Sequence, residues 1–197
     1  MLVKLRFILW ALVGVAALAG IWIALKPPAE LPSTAEMPLD TIGGPFTLTG
    51  SDGQSFNSAG LNGKGTAIFF GFTHCPDVCP TTLARLSKLR KQAGGDDAFN
   101  IVFVSVDPER DTPADVGRYA ELFNTPVIGL TGSVADIERV KKQFGVYSAK
   151  APLPNGDYSV DHTSTVFLMD RNGKFVATLA PEEGEQVALE KLKRIAA

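Results

Sequence analysis

The sequence predicts an α/β domain, a mixed β-sheet flanked by helices on both faces, preceded by a single transmembrane helix. Continuous apolar runs at 66–72 and 101–106 are typical of buried strands, and segments with helical periodicity follow both. A third apolar run, 7–25, predicts the membrane helix. Hydrophobic residues make up 45% of the 197-residue chain and charged residues 20%, as is ordinary for a chain with a packed core.

The N-terminal apolar run has the features of a membrane anchor. Residues 7–25 contain no charged side chain, and a helix of that length spans about 28 Å, close to the thickness of the hydrocarbon core. Trp10 and Trp22 lie near its ends, where aromatic residues favour the membrane interface. Lys4 and Arg6 precede it, which favours a cytoplasmic N-terminus and an exported domain.

A cleaved signal peptide is the alternative, with residues 17–19 as the cleavage site. Apolar residues would then be left exposed after the cut, so we expect an uncleaved anchor over residues 1–26. Residues 27–45 are rich in proline and predict an extended tether. The third predicted segment, 46–197, is the folded domain.

Turn and capping signals set the limits of the elements in this domain. Ser51-Asp52-Gly53 and Asn172-Gly173 are turn signals, while Thr112 and Ser133 each begin a capping-box pattern. Strand–helix units come first, and a hairpin with a helix comes last, which is the thioredoxin arrangement. The predicted elements are a hairpin over 46–56, a strand over 66–72, a helix over 80–92, a strand over 101–106, a helix over 112–123, a strand over 127–130, a helix over 133–144, strands over 165–170 and 174–179, and a helix over 185–195.

Sulfur and imidazole ligands are scarce and concentrated. The chain has two cysteines, Cys75 and Cys79, and two histidines, His74 and His162. Both cysteines follow the first buried strand, and functional sites in α/β sheets collect beyond the carboxyl ends of strands. They also lie at the start of a predicted helix, whose positive dipole end favours thiolates. We therefore expect a site with thiolate character here.

The spacing of Cys75 and Cys79 leaves three interpretations open. An exported pair can be a structural disulfide, a redox-active dithiol or a pair of metal ligands. The common redox dithiol is C-x-x-C, whereas three residues intervene here. Two thiolates suit Cu(I), which prefers soft donors, while a structural zinc site needs four ligands.

His162 is the candidate third ligand. It lies just before the strand predicted from Thr165, in a loop that the topology places beside the cysteine loop. A neutral imidazole there would complete a sulfur–sulfur–nitrogen site for Cu(I) or Cu(II), although a lone histidine is more often a surface or hydrogen-bonded residue. Asp77 and Asp161 are candidates for orienting the ligands, or are plain turn residues.

Two other polar residues lie near this edge of the sheet. His74 adjoins Cys75, but neighbouring residues at a strand end point in opposite directions, so we expect His74 to lie outside the site. Asp107 follows the second buried strand. It lies on the active edge of the sheet, but 107–111 can equally be a loop leading to the helix cap at Thr112, and we expect the loop.

Three segments together resemble the SCO/SenC family: GFTHCPDVCPTTL at 71–83, VSVDPERDTP at 104–113 and DHTS at 161–164. This combination is specific, whereas a bare C-x-x-x-C is not. The resemblance covers nearly all of 46–197 and implies a thioredoxin-like fold related to the peroxiredoxins. It also implies an insertion around 147–157.

The resemblance implies that Cys75, Cys79 and His162 bind one copper ion per chain. It implies a metallochaperone that delivers copper to the dinuclear copper site of cytochrome c oxidase subunit II. The alternatives are a thiol–disulfide reductase that keeps the cysteines of that copper site reduced through Cys75 and Cys79, and a copper or redox sensor.

The expected partners are subunit II and either another copper chaperone or a thiol reductant. We expect a single-pass protein of a bacterial inner membrane with its domain in the periplasm, or in the mitochondrial intermembrane space of a eukaryote. A net charge of -2 gives no basic surface for nucleic acid.

Overall fold

A computed structural model describes Trp10 and residues 42–61, 63–154 and 156–197. All the elements below belong to the second of two compact units, Met37–Ala197. In the described part of the chain, no helix is long and apolar enough to cross a membrane. The predicted anchor, apart from Trp10, and most of the predicted tether lie outside the described residues, so both stay predictions.

The described residues form nine strands, four helices and one short 3-10 turn, Ser58–Leu61. The strands are β1 (Thr47–Gly50), β2 (Ser55–Asn57), β3 (Thr66–Gly71), β4 (Asn100–Ser105), β5 (Ile128–Thr131), β6 (Ser148–Pro152), β7 (Tyr158–His162), β8 (Val166–Met169) and β9 (Phe175–Leu179). The helices are α1 (Val78–Ala93), α2 (Pro113–Glu121), α3 (Val134–Phe144) and α4 (Glu185–Ala196).

Seven of these strands make one mixed sheet in the order β2-β1-β5-β4-β3-β8-β9. Strands β3, β4 and β5 are parallel, while β8 runs antiparallel to β3 and β9 runs antiparallel to β8. Every residue of β3 is buried, as its continuous apolar run predicts. The predicted mixed sheet is confirmed.

Helices cover both faces of the sheet. Phe69 and Phe70 are neighbours on β3, so their side chains point to opposite faces. On one face Phe70 packs against Phe144 of α3, with ring centroids 5.3 Å apart. On the other face Phe69 pairs with Phe103 of β4, whose ring lies 5.1 Å from that of Tyr119 in α2. The helices flanking the sheet are therefore as predicted.

The caps are also where the sequence places them, with one difference at α1. Thr112 and Asp115 form a reciprocal capping box, and the Ser133 hydroxyl accepts a hydrogen bond from the main chain at the start of α3. Helix α1 begins at Val78, two residues earlier than predicted. Proline is compatible with the first turn of a helix, so Pro80 does not mark the boundary. Cys79 consequently lies inside the first turn.

The segment expected as an insertion around 147–157 contributes to a separate hairpin. Strands β6 and β7 pair antiparallel, with Ser148 opposite His162 and Pro152 opposite Tyr158. They form their own two-stranded sheet. His162 is therefore the last residue of a strand, and the prediction that it lies in a loop was wrong.

Candidate metal centre

Three donor atoms meet beyond the carboxyl end of β3. The Sγ atoms of Cys75 and Cys79 and a ring nitrogen of His162 all lie within 4.8 Å of one another. The Cys79 Sγ to His162 Nε2 distance is 3.5 Å. The expectation that the histidine segment lies beside the cysteine loop is confirmed.

The cysteine loop is compact because of its main-chain bonds and one glycine. The Cys75 N–H donates to the Phe72 carbonyl at 3.2 Å, and the Cys79 N–H donates to Cys75 Sγ at 3.4 Å. A Cβ atom at Gly71 would lie 2.7 Å from Cys79 Sγ, closer than real Cβ contacts. Glycine at this position therefore lets the sulfur approach the end of β3.

The two thiols have unequal surroundings. Cys79 is fully buried, whereas Cys75 is partly exposed. Burial raises the pKa of the Cys79 thiol, and the neighbouring Cys75 raises it further. Burial thus opposes the stabilisation of a thiolate that the start of the helix was expected to give. A metal ion must displace the proton of Cys79 in order to bind it.

The imidazole of His162 is held with one nitrogen facing the sulfurs. Its Nδ1 lies 3.0 Å from the Thr163 carbonyl, which can only accept, so Nδ1 carries the proton and Nε2 keeps its lone pair. The rings of Phe69 and Phe72 meet it edge-on, at centroid distances of 6.0 Å and 5.8 Å. Burial among these rings lowers the pKa of His162 and favours the neutral, ligating form.

The predicted orienting carboxylates lie at the rim. Asp77 and Asp161 are both exposed, and Asp77 Oδ1 accepts a hydrogen bond from the Thr81 hydroxyl at 3.3 Å. Asp161 raises the pKa of His162, against the larger effect of burial. The His162 Nδ1 instead donates to the Thr163 carbonyl. Every residue has a main-chain carbonyl, so the sequence carries no signal for this hydrogen bond. The orienting role of the two aspartates stays a prediction.

Asp111 anchors the start of the cysteine loop and also lies close to His74. The buried Asp111 carboxylate accepts hydrogen bonds from the Thr73 N–H at 2.9 Å, the Thr73 hydroxyl at 2.6 Å and the Ser105 hydroxyl at 2.6 Å. His74 Nδ1 lies 3.4 Å from Asp111 Oδ1. His74 is thus outside the three-residue cluster, as expected. Asp111 does not only belong to a loop, because its carboxylate holds the start of the cysteine loop in place.

The donor set fits a soft metal ion of low coordination number. Two thiolates and one neutral imidazole are the ligand types that Cu(I) prefers. Within the described residues, this is the one cluster of three or more histidine, cysteine or acidic residues that could hold a metal. A structural zinc site requires four ligands, and these three do not provide them.

A family model described as SCO1/SenC matches residues 34–197 of this sequence. The chain belongs to the SCO1/SenC family. Among the family's proteins, the chain is 39% identical over 156 residues to "Protein SCO2, mitochondrial" of Saccharomyces cerevisiae. That match covers 77% of this chain and 52% of the yeast protein, so the chain spans about half the length of that relative.

Solved structures of the family have the same fold. Copper-bound ScoI of Bradyrhizobium japonicum superposes with a TM-score of 0.71 at 45% identity, covering 78% of this chain and 99% of ScoI. BsSco superposes with a TM-score of 0.62 at 27% identity, covering 81% of this chain and 95% of BsSco. BsSco is described as a member of the Sco family of cytochrome c oxidase assembly proteins in which a disulfide switch was identified.

Proposed function

We propose that this chain is a membrane-anchored metallochaperone that delivers copper to the dinuclear copper site of cytochrome c oxidase subunit II. Cys75, Cys79 and His162 bind one copper ion, as Cu(I) or Cu(II). The observation that carries the proposal is the convergence of two sulfurs and one imidazole nitrogen within 4.8 Å, from segments far apart in sequence. The similarity to copper-bound ScoI supports it.

The unequal exposure of the ligands suits transfer of the ion. Cys79 is at the buried side of the site, whereas Cys75 and His162 line an open cavity of about 300 Å³. Asp77 and the exposed Val78 also line this cavity. An acceptor thiolate or imidazole approaching through it reaches copper from the Cys75 side. Ligands can then be exchanged one at a time, and copper leaves in the oxidation state in which it was bound.

The proposal places the domain on the non-cytoplasmic side of a membrane. This is the periplasm in a bacterium, or the intermembrane space in a eukaryote. The apolar run at 7–25 supports it, and so does the mitochondrial location in the name of the yeast relative. Another copper chaperone or a thiol reductant would load or reduce the site.

Thiol–disulfide exchange is the second candidate, favoured by the closeness of the two sulfurs and their unequal exposure. The partly exposed Cys75, as a thiolate, attacks a target disulfide, forming a mixed disulfide and releasing one target thiolate. Cys79 then gives its proton to the target thiolate already released and attacks Cys75 Sγ, which releases the second target thiolate. The target gains two electrons, and a Cys75–Cys79 disulfide forms. This reaction uses no atom of His162.

Oxidase assembly in cells distinguishes the two candidates. We would express wild type, Cys75→Ser, His162→Ala and His74→Ala in a strain that lacks its own homologue, and measure assembled oxidase by its copper-dependent activity. His74→Ala is the matched control, since His74 adjoins Cys75 but lies outside the cluster. Delivery predicts that Cys75→Ser and His162→Ala both fail and His74→Ala succeeds. Full assembly with His162→Ala would favour thiol exchange and contradict delivery.

A further inference from the structure

The hairpin that carries His162 has no strand partner in the main sheet. Among the described strands, β6 and β7 pair only with each other, whereas β3, which leads to the cysteine loop, is a central strand. A two-stranded hairpin is marginally stable by itself. The distance between His162 and the sulfurs therefore depends on contacts that fasten this hairpin to the rest of the domain.

We propose that Asp107, Arg110 and Tyr158 are positioning residues that fasten the hairpin and so hold His162 in place for copper. The inference rests on the proposed function, because it concerns the same site. These residues are here called the hairpin clamp. Within the described residues none of the three is bonded to a donor atom of the site, and they act through His162.

Asp107 is the buried centre of the clamp. Its side chain is 1% exposed, and both of its oxygens are used. Oδ2 accepts a hydrogen bond from Arg110 Nε at 2.5 Å, and Oδ1 accepts one from the Tyr158 hydroxyl at 2.9 Å. Removing either donor would leave part of a buried negative charge without its partner, which is costly in a medium of low polarity.

Arg110 also contacts the hairpin directly, through hydrogen bonds and through a cation–π contact. Its Nη1 donates to the Tyr158 carbonyl at 2.9 Å and to Asp157 Oδ1 at 3.1 Å. Its guanidinium carbon lies 3.7 Å from the centroid of the Tyr158 ring, a close cation–π contact. The planar, forked guanidinium can make these bonds together, whereas a lysine ammonium cannot.

The clamp and the ligand occupy opposite ends of one short strand. Tyr158 is the first residue of β7 and His162 is the last. A strand rises about 3.4 Å per residue, so the two residues are only about 14 Å apart along one extended segment. Holding Tyr158 in place therefore limits how far His162 can move. A second path runs through Phe72, whose ring lies 6.0 Å from the Arg110 guanidinium and 5.8 Å from the His162 ring.

The segment 105–111 therefore fixes both halves of the site. Asp111 holds the cysteine loop through Thr73, and Asp107 holds the histidine hairpin. Ser105 links the two aspartates, because its hydroxyl accepts from the Asp107 main-chain N–H at 3.0 Å and donates to the Asp111 carboxylate at 2.6 Å. Loosening Asp107 alone should move His162 and leave the sulfurs in place.

The test is a double-mutant cycle against His162. We would introduce Tyr158→Phe and Arg110→Lys separately, in the full chain with His162 and in the His162→Ala background, and measure Cu(I) affinity anaerobically against a competing chelator. Tyr147→Phe and Arg139→Lys are matched controls, since both side chains are exposed and outside the clamp. The Cu(II)–thiolate absorption spectrum gives a second readout.

The clamp predicts that Tyr158→Phe and Arg110→Lys each weaken copper binding about tenfold when His162 is present, as is typical of residues that orient metal ligands. Neither should change affinity in the His162→Ala background, and the Cu(II) spectrum of each should shift toward that of His162→Ala. Unchanged affinity with His162 present would overturn the inference, and so would an equal loss in both backgrounds. If His162→Ala itself bound copper like wild type, the proposed function would fail, and the clamp with it.

Discussion

Cys79 Sγ lies 3.5 Å from His162 Nε2, although 83 residues separate the two in the chain. The sulfur is held by the first turn of α1 against the end of β3, and the imidazole by a hairpin outside the main sheet. The site is thus made where two segments from different parts of the fold meet. Changes that move either segment should be measurable as changes in copper binding.

Gly71→Ala should disturb the sulfur side of the site. The new Cβ would lie 2.7 Å from Cys79 Sγ and 3.0 Å from the Phe103 ring, both in the packed core. Overpacking of this kind typically destabilises by about 1–3 kcal/mol. We expect a lower free energy of unfolding in urea and weaker copper binding. Gly60→Ala is the control, because nothing lies within 4 Å of its added Cβ; equal stability of the two variants would refute the close approach.

Asp111→Asn should loosen the cysteine loop. The carboxylate accepts three hydrogen bonds from Thr73 and Ser105, and an amide cannot accept on its nitrogen. We expect a loss of about 1–3 kcal/mol in the free energy of unfolding, the penalty for a buried donor left without an acceptor. Thermal or urea unfolding measures it. Asp97→Asn is the control: its carboxylate is fully exposed and pairs only at the surface with Lys64, so the loss should be clearly smaller than that of Asp111→Asn. The same loss from both changes would show that Asp111 has no special role.

Copper affinity should rise with pH. Burial raises the pKa of Cys79, so the free protein keeps this thiol protonated near neutral pH and releases the proton when the metal binds. Each proton released strengthens apparent affinity about tenfold per pH unit. Burial lowers the pKa of His162, so this ligand is already neutral and adds no pH dependence above its ordinary value of about 6.5. Competition titrations across the neutral range test this, and a flat profile would contradict a protonated Cys79.

The sequence predicts the elements of the main sheet well because local signals specify them. The capping box at Thr112 and the turn at Asn172-Gly173 both depend on neighbouring residues, and both are present as expected. The β6–β7 hairpin was missed because β6 has no large or β-branched apolar residue and ends in Pro152. The Asn155-Gly156 turn signal within this segment could have indicated it.

The same contrast applies to the site. Cys75, Cys79 and His162 were predicted from motifs, and the structure brings them together. The opposing effect of burial on the pKa of Cys79 could not be predicted, since the start of a helix is visible in the sequence while burial is a property of the folded domain. The link between Asp107 and Tyr158 joins residues 51 positions apart, so no local pattern reveals it.

Anaerobic Cu(I) titration of the reduced protein, with His162→Ala in parallel, tests the central claim most directly. The Cys–Cys–His site predicts one tightly bound copper per chain. Loss of His162 should weaken binding at least about tenfold, since changes to residues that only orient a ligand already cost that much. His74→Ala should bind as wild type does. No competitive binding, or affinity indifferent to His162, would contradict the three-ligand copper site and leave Cys75 and Cys79 as a redox dithiol.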